Sequence, residues 1–106
     1  MAVNKVILLG YVGNDPEMQF PDGGTVIAKF SLATSELRGP EGREVTDWHK
    51  IVVIGENARV AEKYIRKGTR LYVEGRLKYR DWEDKFKIRH KIAEIISDNF
   101  EIIGRI

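Results

Sequence analysis

Two tryptophans and a run of cations are the residues in this chain best suited to chemistry that needs no cofactor. Between Arg76 and Lys91 stand seven cations (Arg76, Lys78, Arg80, Lys85, Lys87, Arg89, Lys91) against Asp81, Glu83 and Asp84, a local charge of +4. The whole chain of 106 residues is only +2, so the rest of it is net negative by two. Trp82 falls inside the basic run, and Trp48 shares a period-two face with Lys50. Cations repeating along a strand at a rise of about 3.3 Å per residue suit a phosphate backbone. Flat rings among them suit bases that have no stacking partner of their own. A cationic strand can also be just a solvated face that blunts a sheet edge. Here Val52 and Ile54 lie on the parity of Trp48 and Lys50 and are expected on the outer side of their strand, which favours a nucleic-acid surface.

Other chemistries find little support. The chain has no cysteine and two histidines far apart in sequence, a poor basis for a thiolate or zinc site. His49 and Asp47 share a strand face without a third partner, and His90, set among apolar residues, reads as a packed core side chain. "DGG" and "GPEG" read as turns, because no phosphate-cradling glycine motif or lysine follows them. No catalytic residue, metal or cofactor is expected. No apolar run approaches the roughly 20 residues of a membrane span, and the opening "MAVNKVILLGYVG" lacks the features of a signal peptide, so a cytoplasmic location is the expectation. With 42% apolar and 32% charged residues, positions 1–106 read as one globular domain.

The elements that must position these residues are mostly strands. "NKVILLGYVG" is apolar on both parities, Val6 and Leu8 one way and Ile7 and Leu9 the other, so it predicts a strand covered twice. "TVIAKFSLAT" alternates cleanly, with Val26, Ala28, Phe30 and Leu32 inward. Residues 35–46 collect Gly, Pro and charge without periodicity and predict a long loop. "DWHKIVVIG" gives a third strand, and "ENARVAEKYIRKG" switches to a helical stripe of Val60, Ala61, Tyr64 and Ile65, with Asn57 as N-cap and Gly68 as stop. "TRLYVEGRLKYRDW" and "KFKIRHKIAEII" predict a hairpin turning near Glu83 and Asp84, and "DNFEIIGRI" a short further strand. In that hairpin Leu77, Tyr79, Phe86, Ile88 and His90 are expected to fill the barrel. Its other face then carries Arg76, Lys78, Arg80, Trp82, Lys85, Lys87, Arg89 and Lys91. Three strands, a helix, then two strands is the order of a mainly β, five-stranded OB barrel whose helix joins strands three and four. Periodicity alone leaves small sandwiches and other barrels open.

The segments "VNKVILLGYVGNDPEMQF", "GGTVIAKFSLATSE", "TDWHKIVVIGENARVAEKYIRKGTRLYVEGRL" and "DNFEII" resemble the DNA-binding domain of bacterial single-stranded DNA-binding proteins, in order, from about Asn4 to Ile103. The resemblance implies an OB fold, usually homotetrameric, that binds single-stranded DNA with little sequence preference during replication, recombination and repair. It implies base stacking at Trp48 and Trp82. It places Lys5, Lys50, Lys67 and Arg80, with Lys78 as a weaker addition, at basic positions along the DNA path. The cations Lys85, Lys87 and Arg89 come from the hairpin pattern alone. It implies subunit contacts at His49 and strand pairing across a dimer through Val6, Ile7, Leu8 and Leu9.

This sequence departs from the family's pattern in places. Ile54 stands where phenylalanine is common, Arg38 near another frequent tryptophan, and Asp81 where a cation is usual, so weaker or faster-exchanging binding is expected. The sequence ends at Ile106 without the acidic tail through which family members recruit replication and repair enzymes, so tail-mediated recruitment is not expected of it. Rival readings are a primosomal OB protein of the same ancestry and an oligomeric protein-interaction module.

Overall fold

The computed structural model describes residues 1–105. In chain order the elements are β1 (Val6–Val12), β2 (Glu17–Gln19), β3 (Ile27–Arg38), β4 (Arg43–Ile54), α1 (Glu56–Tyr64), β5 (Thr69–Glu83) and β6 (Arg89–Arg105). The sheet runs β1-β5-β6-β4-β3-β2, and an added β1–β3 pairing at Tyr11↔Ala33 and Val12↔Leu32 closes it into the expected five-stranded OB barrel. The short β2, which pairs with β3, is a sixth strand that periodicity does not reveal. It shifts the helix to between β4 and β5 without changing its place in the topology.

Alternation builds the core. Ala28, Phe30 and Leu32 of β3, Ile51 and Val53 of β4, Leu71 and Val73 of β5 and Ile95 of β6 meet inside. The end of the barrel is filled from α1 by Ala58 and Ala61, with Ile65 just beyond it. Two helix expectations are corrected. Val60 and Tyr64 are exposed, because the helix seats on the sheet through its two small alanines, a stripe rotated from the one predicted. Asn57 lies inside the first turn, and the N-cap is Gly55, at φ 86 and without a side-chain cap bond.

The predicted loop at 35–46 is also corrected. β3 and β4 stay paired out to Arg38↔Arg43, leaving only a tight turn closed by the Gly42 N–H to the Gly39 carbonyl at 3.1 Å. Ladder pairing needs no apolar alternation, so the missing periodicity reported an uncovered strand pair rather than a missing one. "KFKIRHKIAEII" and "DNFEIIGRI" are not separate strands, because their residues from Arg89 to Arg105 run within the one strand β6, Ile106 lying outside the described residues. At the bend between Glu74 and Gly75, a Cβ on Gly75 would fall 2.2 Å from the Ile96 carbonyl oxygen, so the strands can cross this closely only with glycine there.

The two long strand pairs outrun the barrel. A 106-residue compact domain has a radius of gyration of about 13 Å, whereas this chain has 15.3 Å and a long axis of 50 Å. β4 and β6 are ladder-paired only at Ile51↔Ile95 and Val52↔Ile96. Beyond that junction the β3–β4 and β5–β6 hairpins continue as two arms.

Candidate nucleic-acid interface

The outer face of the barrel joins the two arms. On β4, Trp48, Lys50 and Val52 alternate with the inward Ile51 and Val53. Trp48 is 62% exposed. A Cβ on Gly13 would stand 2.3 Å from one of its indole carbons, so the ring lies directly on the Gly13 backbone. Beside it opens a cavity of about 310 Å³ lined by Lys29, Lys50, Val52, Arg80, Glu94 and Asn14, among others. Asn14 is fixed there by the Ser31 N–H, which donates to its Oδ1 at 2.9 Å. Trp48 and Lys50 also line a second cavity of about 340 Å³, whose far wall is Leu77 and Lys91 to Ala93.

Glu94 sits at the centre of the first cavity with only 8% of its side chain exposed. Arg80 donates to both of its oxygens, Nε to Oε1 at 3.3 Å and Nη2 to Oε2 at 3.2 Å. That fork holds the Glu94 carboxyl below the usual carboxylate range, helped by the charges of Lys29 and Lys50 and opposed by burial. A buried carboxylate needs such a partner, and the two bonds in turn fix the guanidinium. Two residues along β5, on the same face as Arg80, Trp82 stands 43% exposed. Its ring stacks on His90, with centroids 4.6 Å apart and planes 21° from parallel. Lys50 and Arg80 meet at the first cavity, with Trp48 two residues from Lys50 along β4 and Trp82 two residues from Arg80 along β5.

The site differs from expectation in three ways. Tyr79, Phe86, Ile88 and His90 do not fill the barrel: all are exposed, because the arm has left the barrel and no opposite sheet covers that side. The turn at Asp84–Ile88 pairs Trp82 with His90 and Arg80 with Ile92, so even-numbered residues of β5 share a face with even-numbered residues of β6. Arg89 and Lys91 consequently lie on the other face, opposite Glu83 and Asp81, where Lys91 reaches over the Tyr79 ring at 5.9 Å. The basic side is split between two faces. Finally, Val52 is buried beneath the cavity rather than displayed, and only Ile54 is open.

The remaining predicted residues are spread more widely. Lys5 pairs with Glu74 at 3.3 Å on the β1–β5 side. Glu74 is held below its usual pKa first by the Tyr72 hydroxyl and then by Lys5. The Lys67 N–H donates to Asp15 Oδ1 at 2.9 Å, which brings this lysine beside the loop that supplies Asn14. Lys78 lies on the Arg80 face of β5, and Lys85 and Lys87 lie at the tip. On β1, Val6 and Leu8 pack against the core, while Ile7, Leu9 and Tyr11 are exposed. His49 bonds Thr34 Oγ1 at 2.8 Å, across the paired strand. Sequence reasoning missed Lys29, Asn14 and Glu94. Two of these left a signal: Lys29 opposes the inward parity of Ala28 and Phe30, and Glu94 interrupts the apolar run "IAEII". No group of three or more His, Cys, Asp or Glu able to hold a metal occurs among the described residues. No described helix is long and apolar enough to cross a membrane.

The model of the single-strand binding protein family matches residues 3–103. The chain belongs to that family. It is 40% identical over 109 residues to a single-stranded DNA-binding protein of Bacteroides thetaiotaomicron, covering 98% of this chain and 68% of that protein. Its structure is similar to that of the Plasmodium falciparum SSB in complex with ssDNA, with a TM-score of 0.86, 38% identity and coverage of 98% of this chain and 96% of the other. For a member of this family, the fold expected from the order of strands and helix is the fold found.

Proposed function

We propose that residues 1–106 act as one domain that binds single-stranded DNA with little sequence preference and shields it during replication, recombination and repair. The observation that carries this reading is the open path from Trp48 through Lys50 and Arg80 to Trp82 on one outer face. Lys and Arg displace counterions from phosphates, and each stacked base contributes roughly 1 to 3 kcal/mol. Every base offers a π-face, so discrimination is weak. Duplex DNA binds poorly, its faces being already stacked. Lys67, Lys78, Lys85 and Lys87 extend the charge around this path, and Lys29 joins it at the cavity. Lys5, tied to Glu74, and Arg89, on the opposite hairpin face, act at longer range. The work is binding, with no catalytic step, and the setting is the bacterial cytoplasm.

The exposed row Ile7, Leu9 and Tyr11 on β1 supports assembly into a homotetramer, to which His49 is proposed to add subunit contacts. Repeating the path around an oligomer raises the hold on one strand without new residue types. Solution mass distinguishes this from a primosomal dimer.

Titrating the protein with oligo(dT) while following tryptophan fluorescence tests the function. We expect quenching, with affinity that falls as salt rises. Trp82→Ala should lower affinity by about 1 to 3 kcal/mol and leave the melting temperature nearly unchanged. An equal loss of folding stability, or salt-insensitive association without DNA, would sink the reading.

A further inference from the structure

The tip of the β5–β6 hairpin is built more rigidly than its exposure demands. Phe86 is 72% exposed, and Ile88 beside it is open as well. The turn that presents this ring is fixed by one side chain. Asp84 Oδ1 accepts from the Phe86 N–H at 2.8 Å and the Ile88 N–H at 3.0 Å. Its Oδ2 bonds His90 Nε2 at 2.9 Å, and His90 is the residue stacked under Trp82. Backbone bonds from the Lys87 N–H to the Asp84 carbonyl and from the Asp84 N–H to the Ile88 carbonyl, both 3.0 Å, complete the turn. The Phe86 backbone is thus tied through Asp84 and His90 to the support of the Trp82 indole.

The surroundings of the ring are cationic. The Lys85 ammonium lies 5.3 Å from the Phe86 centroid, and Lys87 follows directly. Lys87 holds φ at 63°, the left-handed region where glycine is at ease, so the chain keeps a lysine there against a steric cost. An aromatic ring on a fixed turn, with one cation over it and another next in sequence, complements a ligand that is polyanionic and carries flat apolar faces. Pre-fixing the turn removes part of the ordering cost that a loose tip would incur on binding.

We propose that Phe86 forms a third base-stacking site, distinct from the two indoles, which takes an unpaired nucleobase from a strand already held at Trp82. This rests on the single-strand reading above. It implies that a bound strand runs outward along the arm to its tip.

Two oligo(dT) lengths test it: the shortest that gives full indole quenching, and one several nucleotides longer. Phe86→Ala should bind the shorter oligomer as the unchanged protein does and lose affinity for the longer one by about tenfold, and Phe86→Tyr should restore it. Asp84→Ala gives a test of opposite sign. Removing a negative charge near DNA should by itself tighten binding, whereas loosening the turn should weaken binding to the longer oligomer only, as Phe86→Ala does. Binding of the longer oligomer by Phe86→Ala as tightly as by the unchanged protein overturns the site. So does loss of self-association by that variant without DNA, since it assigns the ring to a second copy of the chain. If no length of oligo(dT) quenches either indole, the function itself falls and this site with it.

Discussion

The hairpin arms at residues 34–47 and 78–91 have the same length and leave the same barrel, yet they differ in almost everything that matters for a strand of DNA. The first carries Arg38 and Arg43 against Glu36, Glu41, Glu44 and Asp47, a net charge of −2. Its one large exposed apolar side chain is Leu37, and Arg38 Nε is occupied by Glu36 at 2.7 Å. The second carries six cations against three anions, a net +3, with Tyr79, Trp82 and Phe86 exposed along it. Backbone pairing is continuous in both arms. Extending a strand pair is therefore a matter of the ladder alone, while what the arm can hold is set by side chains that the ladder does not constrain. A single polynucleotide crossing the barrel meets an attractive arm on one side and a repulsive one on the other.

The sharpest way to break that asymmetry is to remove the charge from the basic arm. Replacing Lys78, Lys85 and Lys87 together by glutamine should reduce the slope of log affinity against log salt by about two, since each single-strand phosphate contact contributes roughly 0.7. Salt titrations against oligo(dT) measure this directly. The pair Arg89→Gln and Lys91→Gln, on the opposite face, should change the slope less, and an equal change would mean that both faces touch DNA. A smaller effect is expected from equipping the other arm. Arg38→Trp adds a ring where this chain has none, and it should deepen fluorescence quenching and tighten binding by up to about 1 kcal/mol, the low end for one stacked base. No change in quenching would show that the strand never reaches the acidic arm.

The smallest effect concerns acid. Asp84 is held below its usual pKa, first by the bond to His90 and then by the N–H groups of Ile88 and Phe86, while burial works slightly against them. A carboxyl with a depressed folded pKa stabilises the fold above its unfolded value of about 3.9, and the contribution fades as pH falls through the folded value. The turn should therefore keep its order as pH drops through the ordinary aspartate range and loosen only below it. Amide exchange at Phe86 and Ile88 reports this, and loosening well above that range would contradict the bonding at the tip.

Much of the barrel could be read from the chain because burial leaves a period. Ala28, Phe30 and Leu32 alternate since one side of β3 faces the core, and the helix interrupts with its own period. The arms were harder because nothing covers them. Residues 35–46 looked like a loop, and Tyr79, Phe86 and Ile88 looked like core, for the same reason: sequence does not say where a strand leaves the barrel. The split of the cations between two faces depended on the length of the Asp84–Ile88 turn, which decides whether Arg89 follows Trp82 or opposes it. Both tryptophans were legible as exposed rings beside cations. The cavity around Glu94 was not, because it needs Lys29, Lys50 and Arg80 from three different strands.

Strands β5 and β6 pass from barrel wall into arm without a break in their pairing from Gly75↔Ser97 to Glu83↔Arg89. There is no hinge at the barrel's rim. Tension applied at the tip, as by a polynucleotide drawn taut, is carried along the peptide ladder into the wall at Leu77↔Ile95, as far as the bend at Gly75. The arm behaves as a cantilever rooted in the core rather than as a swinging flap.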